Sequence, residues 1–162
     1  MERAIEIIEA DLKRPEHQRH VRALTAAYAL DPMGNGGPLP VDALDRLIPG
    51  LQNLPTTVIF LAYMHGVPVG IATCFVGFST FLGRPLLNIH DLAVLPEHRG
   101  TGIGRRLLAA VEQKARALGC GRLTLEVQED NARARRTYER IGFKQTVYSE
   151  TAGGALFYSK SL

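Results

Sequence analysis

The chain reads as an α/β protein built on a mixed sheet with helices on both faces, and three observations lead there. Two β-branched and aromatic runs of strand length sit side by side in the first half, separated by a turn signal at His65-Gly66-Val67-Pro68. The second half alternates strand, helix, strand, helix and strand, the pattern of parallel crossover units. At 162 residues, 46% hydrophobic and 22% charged, the chain can bury roughly 70% of its unfolded surface without disulfide or metal. One domain over residues 1–162, free of repeats and low-complexity tracts, is therefore expected.

Taken in order, Ala4 to Glu9 is a short strand. Leu12 to Leu30 is helical, interrupted at Pro15, with Val21, Leu24, Ala27 and Tyr28 spaced to face inward. Asp31 to Pro40, crowded with glycine and proline, is a loop, and Val41 to Leu51 is a short amphipathic helix. Thr57 to Met64, Val69 to Phe78 and Leu86 to Leu95 are strands. In the helix from Gly102 to Leu118, residues Ile103, Leu107, Val111, Ala115 and Leu118 share one stripe, and Gly119 and Gly121 end it. Leu123 to Val127 is the next strand. Asn131 is an N-cap for a helix through Ile141 whose inward residues are Ala134, Tyr138 and Ile141, closed by Gly142. Phe143 to Ser149 and Ala155 to Ser159 complete a sheet of six or seven strands.

The formal net charge of +3 and isoelectric point near 9.1 suit an anionic ligand and fall short of a nucleic-acid surface. Arg133, Arg135, Arg136 and Arg140 lack the interleaved aromatics of a nucleic-acid groove and read as a solvated face. The start alternates charge with aliphatics, unlike a secretory signal, and no run approaches the ~18 apolar residues of a membrane span. A cytoplasmic protein without membrane contact is expected. Cys74 and Cys120 form neither zinc spacing nor a disulfide framework, and His17 with His20 lacks a third ligand, so no metal is expected.

Chemistry concentrates between Asp91 and Arg105. Gly100, Gly102 and Gly104 stand between a strand's end and a helix's start, where backbone N–H groups lack intrahelical partners and the helix dipole is positive. Such a loop cradles an anion, best a phosphate, and Arg99 and Arg105 add charge-assisted donors. A Walker A loop is excluded, because Gly104 is followed by Arg105-Arg106 where Lys-Ser/Thr is required. A dinucleotide site finds an acid in Glu126, but the glycines run G-x-G-x-G behind Pro96-Glu97-His98-Arg99 and the strand comes late in the order.

Arg99-Gly100-Thr101-Gly102-Ile103-Gly104 resembles the Arg/Gln-x-x-Gly-x-Gly/Ala acetyl-CoA motif of the GNAT superfamily of N-acetyltransferases. Leu92 to Arg99 resembles that family's strand and lead-in, and Asn131 to Phe143 resembles its Asn-x-x-Ala-x-x-x-Tyr-x-x-x-Gly-Phe segment. The strong likeness covers roughly Asn88 to Phe143. Phe78 to Leu87 is similar to the segment leading into the active-site strand of the diamine (spermidine/spermine) acetyltransferase group, although His90-Asp91 replaces that group's Glu-Asp pair.

The resemblance implies a mostly antiparallel sheet splayed at the acetyl-CoA site. It implies acetyl-CoA as cosubstrate, held by Leu92, Ala93, Val94, Arg99, Gly100, Thr101, Gly102, Ile103, Gly104, Arg105, Asn131 and Tyr138. Tyr138 would protonate the departing thiolate, while His90 is the candidate base, with Glu97 or a water chain as alternatives. Asp91 has three readings: orienting His90, binding a substrate cation, or holding the strand edge. The acceptor is then a small amine, its pocket between Tyr28 and Leu39 and between Gly77 and Arg84, with Asp31, Asp42, Asp45 and Asp91 favouring a cation. A homodimer follows from the superfamily's habit. The competing class is an acyl-CoA-binding module or sensor that transfers nothing.

Overall fold

The computed structural model describes residues 5–147, 151 and 153–162. They form strands β1 (Ile5–Glu9), β2 (Thr57–Met64), β3 (Val67–Ser79), β4 (Arg84–Val94) and β5 (Arg122–Leu125). The α-helices are α1 (Pro15–Leu30), α2 (Val41–Asn53), α3 (Ile103–Ala117) and α4 (Ala132–Arg140), with a 3-10 turn at Pro96–His98. Contacts divide the chain into two compact units, one reaching to Glu126 and one from Val127 onward.

The first unit holds the sheet, in the order β1-β2-β3-β4-β5. The first three pairings are antiparallel and β4 with β5 is parallel. The β2–β3 hairpin turns on His65 and Gly66, at φ 52° and 78°, the two positive dihedrals that match a tight turn to strand twist. Pro15 opens α1, where a missing N–H costs nothing, so the interruption expected at that residue is the helix start. Val21 and Leu24 of α1 and Ile48 of α2 bury against Ile59, Leu61, Tyr63 and Ile71. On the other face, Gly70 lies under Ile103 and Leu107 of α3, which are 1% and 0% exposed. Ile71 and Gly70 are neighbours in β3, so their opposite partners place α1 and α2 on one face and α3 on the other.

In the second unit, the Asn131 side chain accepts the Ala134 N–H at 3.1 Å, capping α4 as expected. The Tyr138 and Phe143 rings meet edge to face at 5.9 Å.

Among the described residues the sheet has five strands rather than six or seven. Of the expected strand Phe143 to Ser149, residues 148–149 lie outside the described residues, and the remainder contributes only a bridge between Val147 and Gly154. The described residues of Ala155 to Ser159 form no strand, and Leu156, Phe157 and Tyr158 are 78%, 74% and 83% exposed. Their β-propensity counts only when a neighbouring strand takes up the face it offers. Leu118 and Ile141, expected to face inward, are exposed because each falls at or beyond the last turn of its helix.

Candidate functional site

Strand β4 changes character halfway along. Thr73 pairs with Asp91 but Cys74 pairs with Ile89, so His90 is an extra residue, a β-bulge. The bulge puts His90 and Asp91 on the α1 side of the sheet together: His90 touches Phe75 edge to face at 5.5 Å, and Asp91 shares the face of its partner Thr73.

The parallel partner β5 pairs with β4 only from Leu86 to Ile89. Beyond it, among the described residues, no strand covers that edge of His90 to Val94. This opening is the expected splay. The Leu95 N–H donates to the Val69 carbonyl of β3 at 2.9 Å, so by strand alternation Leu92 and Val94 turn their N–H and C=O groups to the open side. The Val94 carbonyl accepts the Arg99 Nε–H at 2.9 Å from that side. Ala93 instead points its side chain into the cleft described below.

The open edge runs into the 3-10 turn and then the glycine loop. Gly100 and Gly102 stand at φ 75° and 87°, a region a side chain would strain. Thr101 donates its Oγ1–H to the His98 carbonyl at 2.6 Å, bracing the loop from within. Among the described residues no side chain caps α3. The N–H groups of Ile103, Gly104 and Arg105 fall in the first turn and meet no backbone acceptor among the described residues. Arg105 is exposed beside them. An extended amide-containing chain fits the open edge by strand addition, and an anion fits the loop that follows it.

Arg99 is engaged differently from the phosphate contact its motif position suggests. Besides the Val94 carbonyl, its guanidinium bonds the Asp31 carboxylate at the C-terminal end of α1. This pairing, with the Met33 N–H, holds the Asp31 carboxyl below the usual range.

Two clefts border the open edge on its α1 side. The larger, about 420 Å³, runs between the end of α1 and Ala93, Val94, Leu95 and Arg99. The smaller, about 250 Å³, is lined by Thr25, Tyr28, Ala29, Gly34, Asn35, Leu39 and Asp91. Tyr28 lines both. Among the four acids expected to favour a cation, Asp31, Asp42 and Asp45 are paired with Arg99, Arg46 and Arg22. Asp91 has no arginine or lysine partner among the described residues. Burial pushes its carboxyl up, partly opposed by the adjacent His90. The Tyr28 hydroxyl is raised by burial first, then by Asp91 and Asp31. His90 and Glu97 are exposed.

Sequence reasoning did not find the bulge or the Arg99–Asp31 pair; the smaller cleft falls on the expected stretch from Tyr28 to Leu39 with Asp91, whereas Gly77 to Arg84 lines neither cleft. The adjacent polar pair His90-Asp91, between the apolar Ile89 and Leu92, is the one sequence signal for the bulge.

A parallel-to-antiparallel sheet that opens beside a glycine loop and helix N-terminus defines an acyltransferase fold. The sequence profile of the acetyltransferase (GNAT) family matches residues 22–143, and the chain belongs to that family. A probable acetyltransferase of known structure superposes with a TM-score of 0.79 at 22% identity, over 96% of this chain and 99% of its own. The aminoglycoside acetyltransferase AAC(6')-Iy, solved with a bisubstrate analog, gives 0.75 at 20% identity over 98% and 99%. By sequence, YhfO of Bacillus subtilis, an uncharacterised N-acetyltransferase, is 33% identical over 55% of this chain and 60% of its own. Thialysine N-epsilon-acetyltransferase of Bos taurus is 34% identical over 51% and 48%. The match thus spans about half the length of these curated relatives.

Proposed function

We propose that the protein transfers an acetyl group from acetyl-CoA to a primary amine of a small cationic molecule, diamine-like or similar, by direct attack within a ternary complex. The observation that carries this reading is the open edge of β4 running straight into the unpaired N–H groups of α3. The edge at Leu92 and Val94 suits a pantetheine chain, whose amides pair as strand backbone does. The loop from Gly100 to Gly104, with Arg105 beside it, suits the pyrophosphate.

In the transfer, the amine lone pair attacks the thioester carbonyl carbon, the C–S bond breaks, the nitrogen loses a proton and the thiolate gains one. An alkylammonium of pKa about 10 costs roughly 4 kcal/mol to deprotonate at pH 7, so a base must help. His90 is assigned that role, directly or through water, with Glu97 the alternative. The oxyanion is met by a backbone N–H of the open edge, at Leu92 or Val94. Tyr138 is assigned the acid role toward sulfur, and Asn131 a cosubstrate contact beside its cap, both on the family motif they occupy. Neither cysteine is assigned as a nucleophile: burial raises both thiols, that of the fully buried Cys74 to about 12.

The cationic acceptor rests on Asp91, an acid without a basic partner in the wall of the smaller cleft. The acceptors named for the relatives, thialysine at its N-epsilon amine and aminoglycosides, are compatible with it. The test is incubation with acetyl-CoA and a panel of diamines, polyamines, amino acids, aminoglycosides and short peptides, read by mass spectrometry. An acetylated amine supports the reading. If nothing is acetylated while acetyl-CoA still protects the fold against heat, the acceptor lies outside the panel or the protein is an acyl-CoA-binding module. Tyr138→Phe lowers turnover and spares acetyl-CoA affinity; unchanged turnover removes Tyr138 from the acid role.

A further inference from the structure

We propose that Asp31 is a positioning residue that couples the cosubstrate loop to the acceptor cleft through its ion pair with Arg99. The inference rests on the acetyl-CoA reading above.

The two ends of the coupling meet at one carboxylate. On one side, the Asp31 carboxylate bonds Arg99, whose guanidinium also holds the Val94 carbonyl on the open edge of β4. Arg99 immediately precedes Gly100 in the loop that would receive the phosphates. On the other side, Asp31 organises the turn that follows α1. Its second carboxylate oxygen accepts the Met33 N–H at 2.8 Å, and its carbonyl accepts the N–H groups of Gly34 at 2.9 Å and Gly36 at 3.1 Å. Gly34 and Asn35 from that turn line the smaller cleft with Asp91.

The Asp31 side chain is 12% exposed and that of Arg99, at the rim, 34%. The pair responds when a second anion approaches Arg99, because the guanidinium must then divide its donors between two acceptors. An anion seated at Gly100 to Gly104 therefore acts on Arg99, Arg99 on Asp31, and Asp31 on the turn that closes the amine cleft. The coupling uses one side chain at each step and no movement of the sheet.

Hydrogen exchange of the full chain, with and without coenzyme A, tests this. In the wild type, coenzyme A should change exchange at residues 100–105 and, by about fivefold, at residues 32–37. In Asp31→Asn and in Arg99→Gln, residues 100–105 should still respond while the response at residues 32–37 is lost. Arg99→Gln leaves the backbone hydrogen bonds of the turn intact, so it answers the question if Asp31→Asn does not fold. A response at residues 32–37 that survives in a folded variant, or is missing from the wild type while residues 100–105 respond, overturns the coupling. No response at residues 100–105 in any protein overturns the acetyl-CoA reading itself, and the coupling with it.

Discussion

Gly34 has no room for a side chain. A Cβ built there would lie 2.2 Å from the Tyr28 carbonyl oxygen and 3.2 Å from the Tyr28 ring, whereas real Cβ atoms essentially never come within 3.0 Å. The obstacle is helix backbone, which does not yield as the end of a flexible side chain would, so in Gly34→Ala the turn must withdraw from α1 by about 1 Å. The turn is largely at the surface, so the stability cost should be small, on the order of 1 kcal/mol. The functional cost should be larger, because Gly34 lines the cleft opposite Asp91. A displacement of this size at a positioning element lowers kcat/KM for the amine by about tenfold to a hundredfold, or about 1.4–2.7 kcal/mol of transition-state stabilisation. Coenzyme A affinity should change by no more than about fivefold, the size of the coupling that Asp31 and Arg99 carry from this turn to the glycine loop. The assay is steady-state kinetics with the amine varied, beside calorimetric titration of coenzyme A. An unchanged kcat/KM for the amine in a folded variant would refute the assignment of the smaller cleft to the acceptor.

Three further outcomes are expected. Leu107→Ala, at a fully buried position against Gly70, should cost about 3 kcal/mol and lower Tm by about 6–12 °C; a shift under about 1 °C would show that α3 does not carry that face of the core. Gly102→Ala meets no clash, its nearest foreign atom being Arg105 Nη2 at 3.7 Å, but forces alanine to φ near 87°. It should cost about 1–2 kcal/mol of stability and weaken coenzyme A binding about tenfold, which equal affinity by titration would contradict. Asp91 is raised by burial, so ionising it opposes folding: the penalty is absent below the ordinary carboxylate pKa of about 3.9, grows as pH climbs from there to the raised folded value, and is constant above it. Asp91→Asn should therefore raise Tm at pH 7, with the gain shrinking toward pH 3, while weakening a cationic amine; a Tm gain independent of pH would refute the linkage.

Which features the amino-acid sequence discloses follows from how local their causes are. The His65-Gly66 turn, the Asn131 cap and the glycine loop before α3 each depend on a few consecutive residues whose backbone needs are written in their types. The bulge at His90 depends on which residue of β3 faces it, a relation across strands that no single stretch records. Arg99 illustrates the same limit: its motif position suggests a phosphate ligand, but its guanidinium is committed to Asp31, sixty-eight residues away, and to the Val94 carbonyl. The acids of the acceptor region looked equivalent in sequence, and only their pairing with Arg22, Arg46 and Arg99 singled out Asp91. At the C-terminal end, the β-propensity of Leu156, Phe157 and Tyr158 predicts a strand, but among the described residues no neighbouring strand takes up the face they offer.

The central claim is that the open edge of β4 and the start of α3 together receive coenzyme A. Backbone amide NMR of the full chain, titrated with coenzyme A, tests it most directly. The account predicts that the largest shifts fall on the amides of Leu92, Val94, Gly100, Gly102, Ile103 and Gly104. Saturable binding whose shifts leave all of these unmoved would contradict it.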